Sequence, residues 1–386
     1  MRISQLAWRA TTVVVAALAA CTAATAATAA TAAHAAVGSA ARLSPQFNGS
    51  VYAVAYRGDT VYVGGSFTGA VIDGRFRERE RLAAFDTRSG ELLDWAPGAD
   101  DTVRALAVSG ESVYAAGDFT EISGHPRDAI ARIDGESGAV GAFSHQVAGT
   151  PRALAVGDGK LYVGGSITEI DSSGRSRLAA FSLHGGALDT RWRPTADNTV
   201  NALAYRGGRV YLGGNFHRTD GVRSTLRLSA VDADTGELDE DFRPKPPAVV
   251  YAIAVDGDGV YAAMGGQGGR AAAYTHDGQT RWVRVFDGDA QAIAVLDGTA
   301  YVGGHFDKAC TTEFNGRRGA CDDRSVSRIK LAAVTPDGSL SDWAPQANGI
   351  VGVRTITVDP VRRTVAVGGD FTTIGGKSQR RYAFFG

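Results

Sequence analysis

The stretch Val61-Tyr62-Val63-Gly64-Gly65-Ser66-Phe67 is the unit from which most of this chain is built. Its echoes begin at Tyr114 (YAAGDF), Tyr162 (YVGGSI), Tyr211 (YLGGNF), Tyr261 (YAAMGG), Tyr301 (YVGGHF) and Ala366 (AVGGDF). The spacing of about 50 residues falls in the range of propeller and solenoid repeats. The length of 386 residues would allow two domains, but a repeat running nearly end to end predicts a single closed unit over residues 37–386.

Composition agrees with many short strands joined by tight turns. The chain has 50 glycines, 2 methionines and an apolar content of 44%, and no long helical pattern appears. The formal net charge of -1 gives the whole molecule no electrostatic preference for nucleic acid or for a membrane surface. Any such preference has to come from local asymmetry.

The amino terminus reads as an export signal, with Arg2 and Arg9 flanking a start region and an apolar run from Val13 to Ala20 too short to span a bilayer. Two exits stand open. Small residues at Ala33-His34-Ala35 permit cleavage there, whereas Leu18-Ala19-Ala20-Cys21 resembles a lipobox in which Cys21 would be lipid-modified and anchor the protein. Residues 1–36, rich in Ala and Thr, are therefore leader or tether, and the expected location is extracellular or lipid-anchored at the cell surface. The remaining cysteines, Cys310 and Cys321, are most simply a disulfide closing one loop, since no Cys or His pair nearby has zinc-ligand spacing.

One full repeat reads from Val103 to Val147 as four strands: Val103–Val108, Ser112–Phe119, Asp128–Asp134 and Val140–Val147. Four strands with short antiparallel connections make one propeller blade. The fourth strand often carries an aromatic and then a proline, as in Trp95/Pro97, Trp192/Pro194, Phe242/Pro244 and Trp343/Pro345. Proline lacks a donor, so this strand belongs at the outer edge, and the aromatic can pack between blades. The last repeat reaches only its third strand at Tyr382–Phe385, and Leu43–Phe47 is the expected donor of its fourth. The expectation is an all-β, seven-bladed propeller of four-stranded antiparallel blades, closed by the N-terminal strand. Repeat five is short, with Met264 in place of a glycine and a loop reduced to Gly265–Gly269, and repeat six is long, holding the disulfide loop.

The run YVGGxF, then RLAAFD, then TG-x-L-x-x-W-x-P resembles the delta-sixty repeat of secreted actinobacterial proteins. It is carried best by Tyr62–Phe67 with Arg81–Pro97, Tyr162–Ile167 with Arg177–Pro194, and Tyr301–Phe306 with Lys330–Pro345, and it covers essentially the whole of residues 37–386. The resemblance implies a propeller at the cell surface and supplies no catalytic residues. Repeat five, which lacks the glycine pair, departs from it.

Innermost strands line a propeller's channel, so their aligned second positions form a ring: Tyr52, Arg104, Arg152, Asn201, Tyr251, Gln291 and Arg354. The fourth positions, Val54, Leu106, Leu154, Leu203, Ile253, Ile293 and Ile356, are all aliphatic. Pairing through the hairpin turns places Tyr52 opposite Gly65 and Arg104 opposite Gly117, with the glycine leaving room for the bulky side chain. The ring either plugs the channel mouth or, through three arginine forks, binds a carboxylate, phosphate or sugar acid. Loops between second and third strands are basic (Arg75, Arg77, Arg79, Arg81, Arg127, Arg175, Arg177 and further members), whereas turns after the third strand are acidic (Asp86, Asp134, Asp232). A polarised disc follows, unless Arg81, Arg177 and their equivalents pair with Asp100, Asp101 and Asp197.

No HExxH, GxSxG or P-loop is present, and no catalytic residue, metal site or cofactor is expected. The Asp232-Ala-Asp-Thr-Gly-Glu turn lacks the ligand series of a calcium loop. A turn followed by Trp superficially resembles quinoprotein repeats, without a cluster for quinone or metal. The reading is a monomeric binding module of the envelope for an anionic polysaccharide or an envelope protein. The alternatives are a polysaccharide hydrolase or lyase at the channel mouth and a structural spacer.

Overall fold

The computed structural model describes residues 37–322 and 324–386. The export signal, Cys21 and the Ala/Thr-rich leader lie outside the described residues. Those described are almost entirely strand and turn, with two short 3-10 segments at Arg223–Thr225 and Arg317–Gly319.

Each repeat begins with a hairpin. In the first, Val51–Arg57 pairs with Thr60–Gly65, which pairs in turn with Leu82–Asp86. Alternation in Val51-Tyr-Ala-Val-Ala-Tyr-Arg57 gives this strand one face toward each neighbour, and Gly58 at φ 54° supplies the turn. The same antiparallel order recurs from Val103, Pro151, Val200, Val250, Ala290 and Val353. Successive inner strands lie side by side, and the one starting at Val353 also neighbours the one starting at Val51.

Complementary side-chain size sets the contact between sheets. A Cβ on Gly64 would stand 2.7 Å from Val103 Cγ1 of the next sheet. Gly164 has the same relation to Val200, Gly213 to Val250, Gly303 to Val353, and Gly368 to Val51. Where the next inner strand opens on a different residue, the position holds alanine instead: Ala116 precedes Pro151, and Ala263 precedes Ala290. Glycine is thus needed where a valine must fit, because overpacking a close sheet contact is destabilising. The departure of repeat five from the glycine pair is compensated by its neighbour, and its hairpin keeps the common register with Val250 opposite Met264.

Three expectations are corrected. First, among the described residues a regular fourth strand forms only in repeat five, at Thr280–Phe286. In repeats one to four and in repeat six the fourth segment makes an isolated bridge to the third strand, such as Phe85 to Leu92 or Ile133 to Val140. Its carbonyls are taken by arginines: Arg79 Nη2 donates to Leu93 O at 2.7 Å, Arg127 to Gly141 O at 2.7 Å and Arg328 to Ser341 O at 2.8 Å. These side chains do what a ladder does for the backbone. Second, the loops between second and third strands are mostly small hairpins, as in Gly69–Ile72 with Arg75–Glu78, or Lys308–Cys310 with Ser325–Ser327. Third, Gln46–Phe47 forms its ladder with Val71 and Ala70 of the first repeat's small hairpin, and reaches the last repeat through a single bond, Phe47 N donating to Arg380 O at 3.2 Å.

The N-terminal segment still meets the last sheet. Arg42 N donates to Phe384 O at 2.9 Å, in the register at which Leu93 N donates to Ala84 O. Trp343 Nε1 donates to Gly38 O, the place that Asp134 O and Asp232 O take for Trp95 and Trp192. Val37 packs into the same core cluster as Trp343 and Phe385.

Cys310 and Cys321 are bonded, and their loop lies over repeat five. Asn315 Nδ2 donates to Phe286 O at 2.7 Å, and Gly268 leaves the room for Asn315. The short loop of repeat five and the long loop of repeat six therefore fit each other.

Candidate functional site

Every inner strand carries a break in register at its second residue. Val51 lies opposite Gly65 and Ala53 opposite Gly64, so Tyr52 is the extra residue of a bulge. The same holds for Arg104, Arg152, Asn201, Tyr251, Gln291 and Arg354. A bulge turns its extra side chain away from the regular alternation and out of the ladder. The glycines opposite serve a different purpose from the one read in the sequence. A Cβ on Gly65 would fall 2.0 Å from Ser50 O, and one on Gly117 2.1 Å from Thr102 O, so glycine admits the backbone that the bulge brings near. Tyr52 lies opposite no residue.

The seven bulge residues line one cavity of about 470 Å³, with Val54, Leu106, Leu154, Leu203, Ile253, Ile293 and Ile356 below them. The mouth is polar and the shaft aliphatic, and the residue between the two in each strand, an alanine or Thr355, lines the cavity as well.

The three arginines of the ring are not equivalent. Arg104 Nε donates to Asp118 Oδ1 at 2.8 Å and its Nη2 to Oδ2 at 2.5 Å. That hydrogen bond holds the guanidinium more firmly protonated than usual. Arg354 donates to Asp370 Oδ2 from Nε at 2.9 Å and from Nη2 at 2.8 Å, and its guanidinium lies 5.2 Å from the Tyr52 ring centroid. Burial works against the Asp370 carboxylate, yet hydrogen bonds from Arg354 and Ser50 outweigh it and keep the carboxyl below its ordinary range. Among the described residues Arg152 has no such partner, and it is exposed. The position that is aspartate in repeats two and seven is Ser166 here, and Thr150 N donates to its hydroxyl at 3.1 Å. Only one of the ring's cations thus faces the mouth without a carboxylate.

The other members differ again. Asn201 Nδ2 donates to Val250 O at 3.1 Å. Tyr251 lies across Gly265, is 37% exposed, and has its hydroxyl pushed up first by burial and then by Asp289. Asp118 and Asp370 are functional neighbours absent from the sequence-derived ring. Their signal is aspartate in the variable place of GGxF or AGxF, in the two arginine repeats that have it.

Many of the basic loop residues are occupied. Arg81 reaches the Asp100 backbone O at 3.5 Å, while the Asp100 carboxylate accepts from Thr120 N at 2.8 Å and Glu121 N at 3.0 Å. The Asp197 carboxylate accepts from His217 N at 2.7 Å and Arg218 N at 3.1 Å. These acids cap loops and do not form ion pairs with Arg81 and Arg177. Arg75, Arg77, Arg317, Arg318, Lys377 and Arg380 are exposed around the ring end of the sheets. On the acidic turns, Asp86, Asp134 and Asp232 each accept from two backbone N–H groups, which holds their carboxyls below the ordinary range. Among the described residues no group of three or more His, Cys, Asp or Glu is placed to hold a metal ion.

Residues 126–358 match the family described as outer membrane protein assembly factor BamB, which is more than half of the chain. The search of curated proteins found no match. Similar solved structures include the WD40 beta propeller domain of Doa1, with a TM-score of 0.59 and 12% identity over 90% of this chain and 97% of that one. The computationally designed Ika8 protein is similar at a TM-score of 0.50 and 15% identity, over 90% of this chain and 99% of that one. At these identities the likeness concerns the fold, an all-β propeller.

Proposed function

This chain belongs to the BamB family of outer membrane protein assembly factors, and we propose from its geometry that it is an interaction module of the cell envelope with its contact surface at the ring mouth. Within that family we infer delta-sixty repeats, on the motifs at Tyr62–Phe67, Tyr162–Ile167 and Tyr301–Phe306. The seven repeats are seven blades of one closed disc, and the segment Arg42-Leu43-Ser44-Pro45 completes the last of them. The bonds of Arg42 to Phe384 and of Trp343 to Gly38 support that closure. Export through residues 1–36, with release or with lipid attachment at Cys21, suits a chain whose Cys310 and Cys321 are disulfide-bonded. Among the described residues no helix is long and apolar enough to cross a membrane.

One observation carries the binding role: seven large side chains sit on seven bulges around one cavity, with no carboxylate on Arg152 among the described residues while Arg104 and Arg354 are neutralised. A sheet gains nothing in its own ladder from a bulge, and bulges commonly aim a side chain at a site. The partner presents a carboxylate or phosphate to Arg152 and stacks against Tyr52 or Tyr251, as an acidic wall polysaccharide or an acidic segment of an envelope protein would. Exposed arginines around the rim steer it there.

Binding of the full chain to immobilised acidic polysaccharides, neutral polysaccharides and acidic peptides tests this reading. Retention on the acidic members that weakens with salt is expected. Equal retention on neutral and acidic members would remove the mouth cation from the account.

A further inference from the structure

Six seams between successive sheets are filled by the same aromatic pair. A tyrosine of the second strand meets a tryptophan or phenylalanine of the fourth segment: Tyr62 with Trp95 at 4.9 Å between centroids, Tyr114 with Phe143 at 5.8 Å, Tyr162 with Trp192 at 5.2 Å. Tyr211 with Phe242, Tyr261 with Trp282, and Tyr301 with Trp343 continue the series. At Trp95 and Trp192 the indole N–H donates to a carbonyl of the following sheet's turn, Asp134 O at 2.8 Å and Asp232 O at 3.1 Å.

The seam between the last sheet and the first has neither partner. Ala366 stands where Tyr62 stands in the first sheet, since it lies opposite Phe384 as Tyr62 lies opposite Ala84. The segment that takes the fourth place runs Arg42-Leu43-Ser44-Pro45, without an aromatic. Leu43 turns away and is 75% exposed, and only its carbonyl comes near Gly90, the counterpart of the Gly138 that lies against Trp95. Phe384 and Tyr56 return part of the lost volume. What is left is a cavity of about 520 Å³ walled by Tyr56, Phe85, Tyr382, Phe384 and Leu43, with Thr87 at its polar side.

One group in this wall is unspent. The Thr87 hydroxyl is buried without a hydrogen-bond partner. The Tyr56 hydroxyl stands beside Thr364 and Tyr382, and burial pushes its pKa up to about 12. A buried polar atom left without a partner is costly and marks the place of a missing one. The rim arginines, by contrast, are satisfied: Arg88 by Asp59 at 2.7 Å, Arg362 by Asp59 and by Asp359 at 2.7 Å, and Arg42 by Gly386 O at 2.7 Å. The site therefore does not call for an anion. It calls for a flat, neutral ring with a hydrogen-bonding edge.

We propose that this cavity binds an indole-type aromatic ring, in the place that the chain's own tryptophans occupy at other seams, with the ring N–H donating to Thr87 Oγ1 or Asp86 O. The cavity is within the size range of small-ligand pockets. The comparison of seams rests on the closed arrangement proposed above, whereas the cavity and its wall stand on their own. The source of the ring is either a free small aromatic molecule or the tryptophan side chain of a partner.

Isothermal titration of the full chain with indole tests the proposal, with N-acetyl-tryptophanamide as the second arm. One site is expected, with a thermal midpoint that rises with indole concentration. Thr87→Val, which keeps shape and removes the hydroxyl, should weaken binding severalfold. Ala366→Tyr, which restores at this seam the ring that Tyr62 supplies at the first, fills the cavity from within and should abolish it. Binding of both compounds identifies a partner's tryptophan as the source, and binding of indole alone a free small molecule. No binding of either, or binding indifferent to Ala366→Tyr and to Thr87→Val, overturns the proposal. Whether the mouth binds an anion does not alter these outcomes.

Discussion

Arg104 and Asp118, fourteen residues apart, are joined by two parallel hydrogen bonds across the hairpin they share. Arg354 and Asp370 repeat the arrangement, and Arg152 with Ser166 does not. The ring is thus a set of two spent cations and one available one. Replacing Asp118 by Asn should release Arg104 into the mouth. Affinity for an acidic oligosaccharide should rise several-fold at low salt, and the gain should fade as salt screens the exposed charge. Stability should change little, because both side chains are partly exposed. Affinity measurements at two ionic strengths check both statements.

The contact between sheets yields a stability prediction. Gly64→Val would force a side chain into Val103 Cγ1, which a Cβ alone would approach to 2.7 Å. The cost should be about 1–3 kcal/mol or more, read as a lowered midpoint in urea. The pair Gly64→Ala with Val103→Ala copies the native Ala263 and Ala290 and should recover most of the loss relative to Gly64→Ala alone.

Acid should weaken the fold through the turn aspartates. Asp86, Asp134 and Asp232 have carboxyls held below the ordinary range by backbone N–H donors, chiefly those of Ser89, Ser137 and Thr235. A depressed pKa stabilises the folded state above the unfolded value and loses that contribution as pH falls through the folded one. Urea midpoints should be flat near neutrality and decline below about pH 4, where unfolded carboxylates begin to protonate. Changing the three residues to Asn should shallow the decline.

Reduction of the Cys310–Cys321 bond should loosen repeat five as well as repeat six. The bond spans 11 residues of sequence and holds the loop from which Asn315 reaches Phe286 O. Serine at both positions should cost about 2–3 kcal/mol. Amide exchange should increase at residues 265–268, where a merely local role would leave protection unchanged.

How far the sequence reached differs from element to element. The repeat, the ring positions and the apolar layer follow from a two-residue period, and that period survives into the structure at Tyr52 and Val54. The bulge leaves no trace in any one copy, because every copy has it and the alignment stays in phase. Its only mark is the glycine opposite, which was open to another explanation. The fourth strand reads as a strand because it has the aromatic and the alternation, yet its proline and the arginines at Arg79, Arg127 and Arg328 take its place in the hydrogen bonding. Asp118 and Asp370 were legible as aspartates at a variable position, but their meaning needs the hairpin that brings them to Arg104 and Arg354.

The availability of Arg152 is open to direct observation. In arginine-labelled full-length protein, the side-chain Nε–Hε signals of Arg104, Arg152 and Arg354 are followed during titration with a uronic-acid trisaccharide. The account predicts that the Arg152 signal shifts and saturates while those of Arg104 and Arg354, held by their aspartates, stay near their starting positions. Shifts at Arg104 and Arg354 with Arg152 unmoved, or no shift at any of the three, would contradict it.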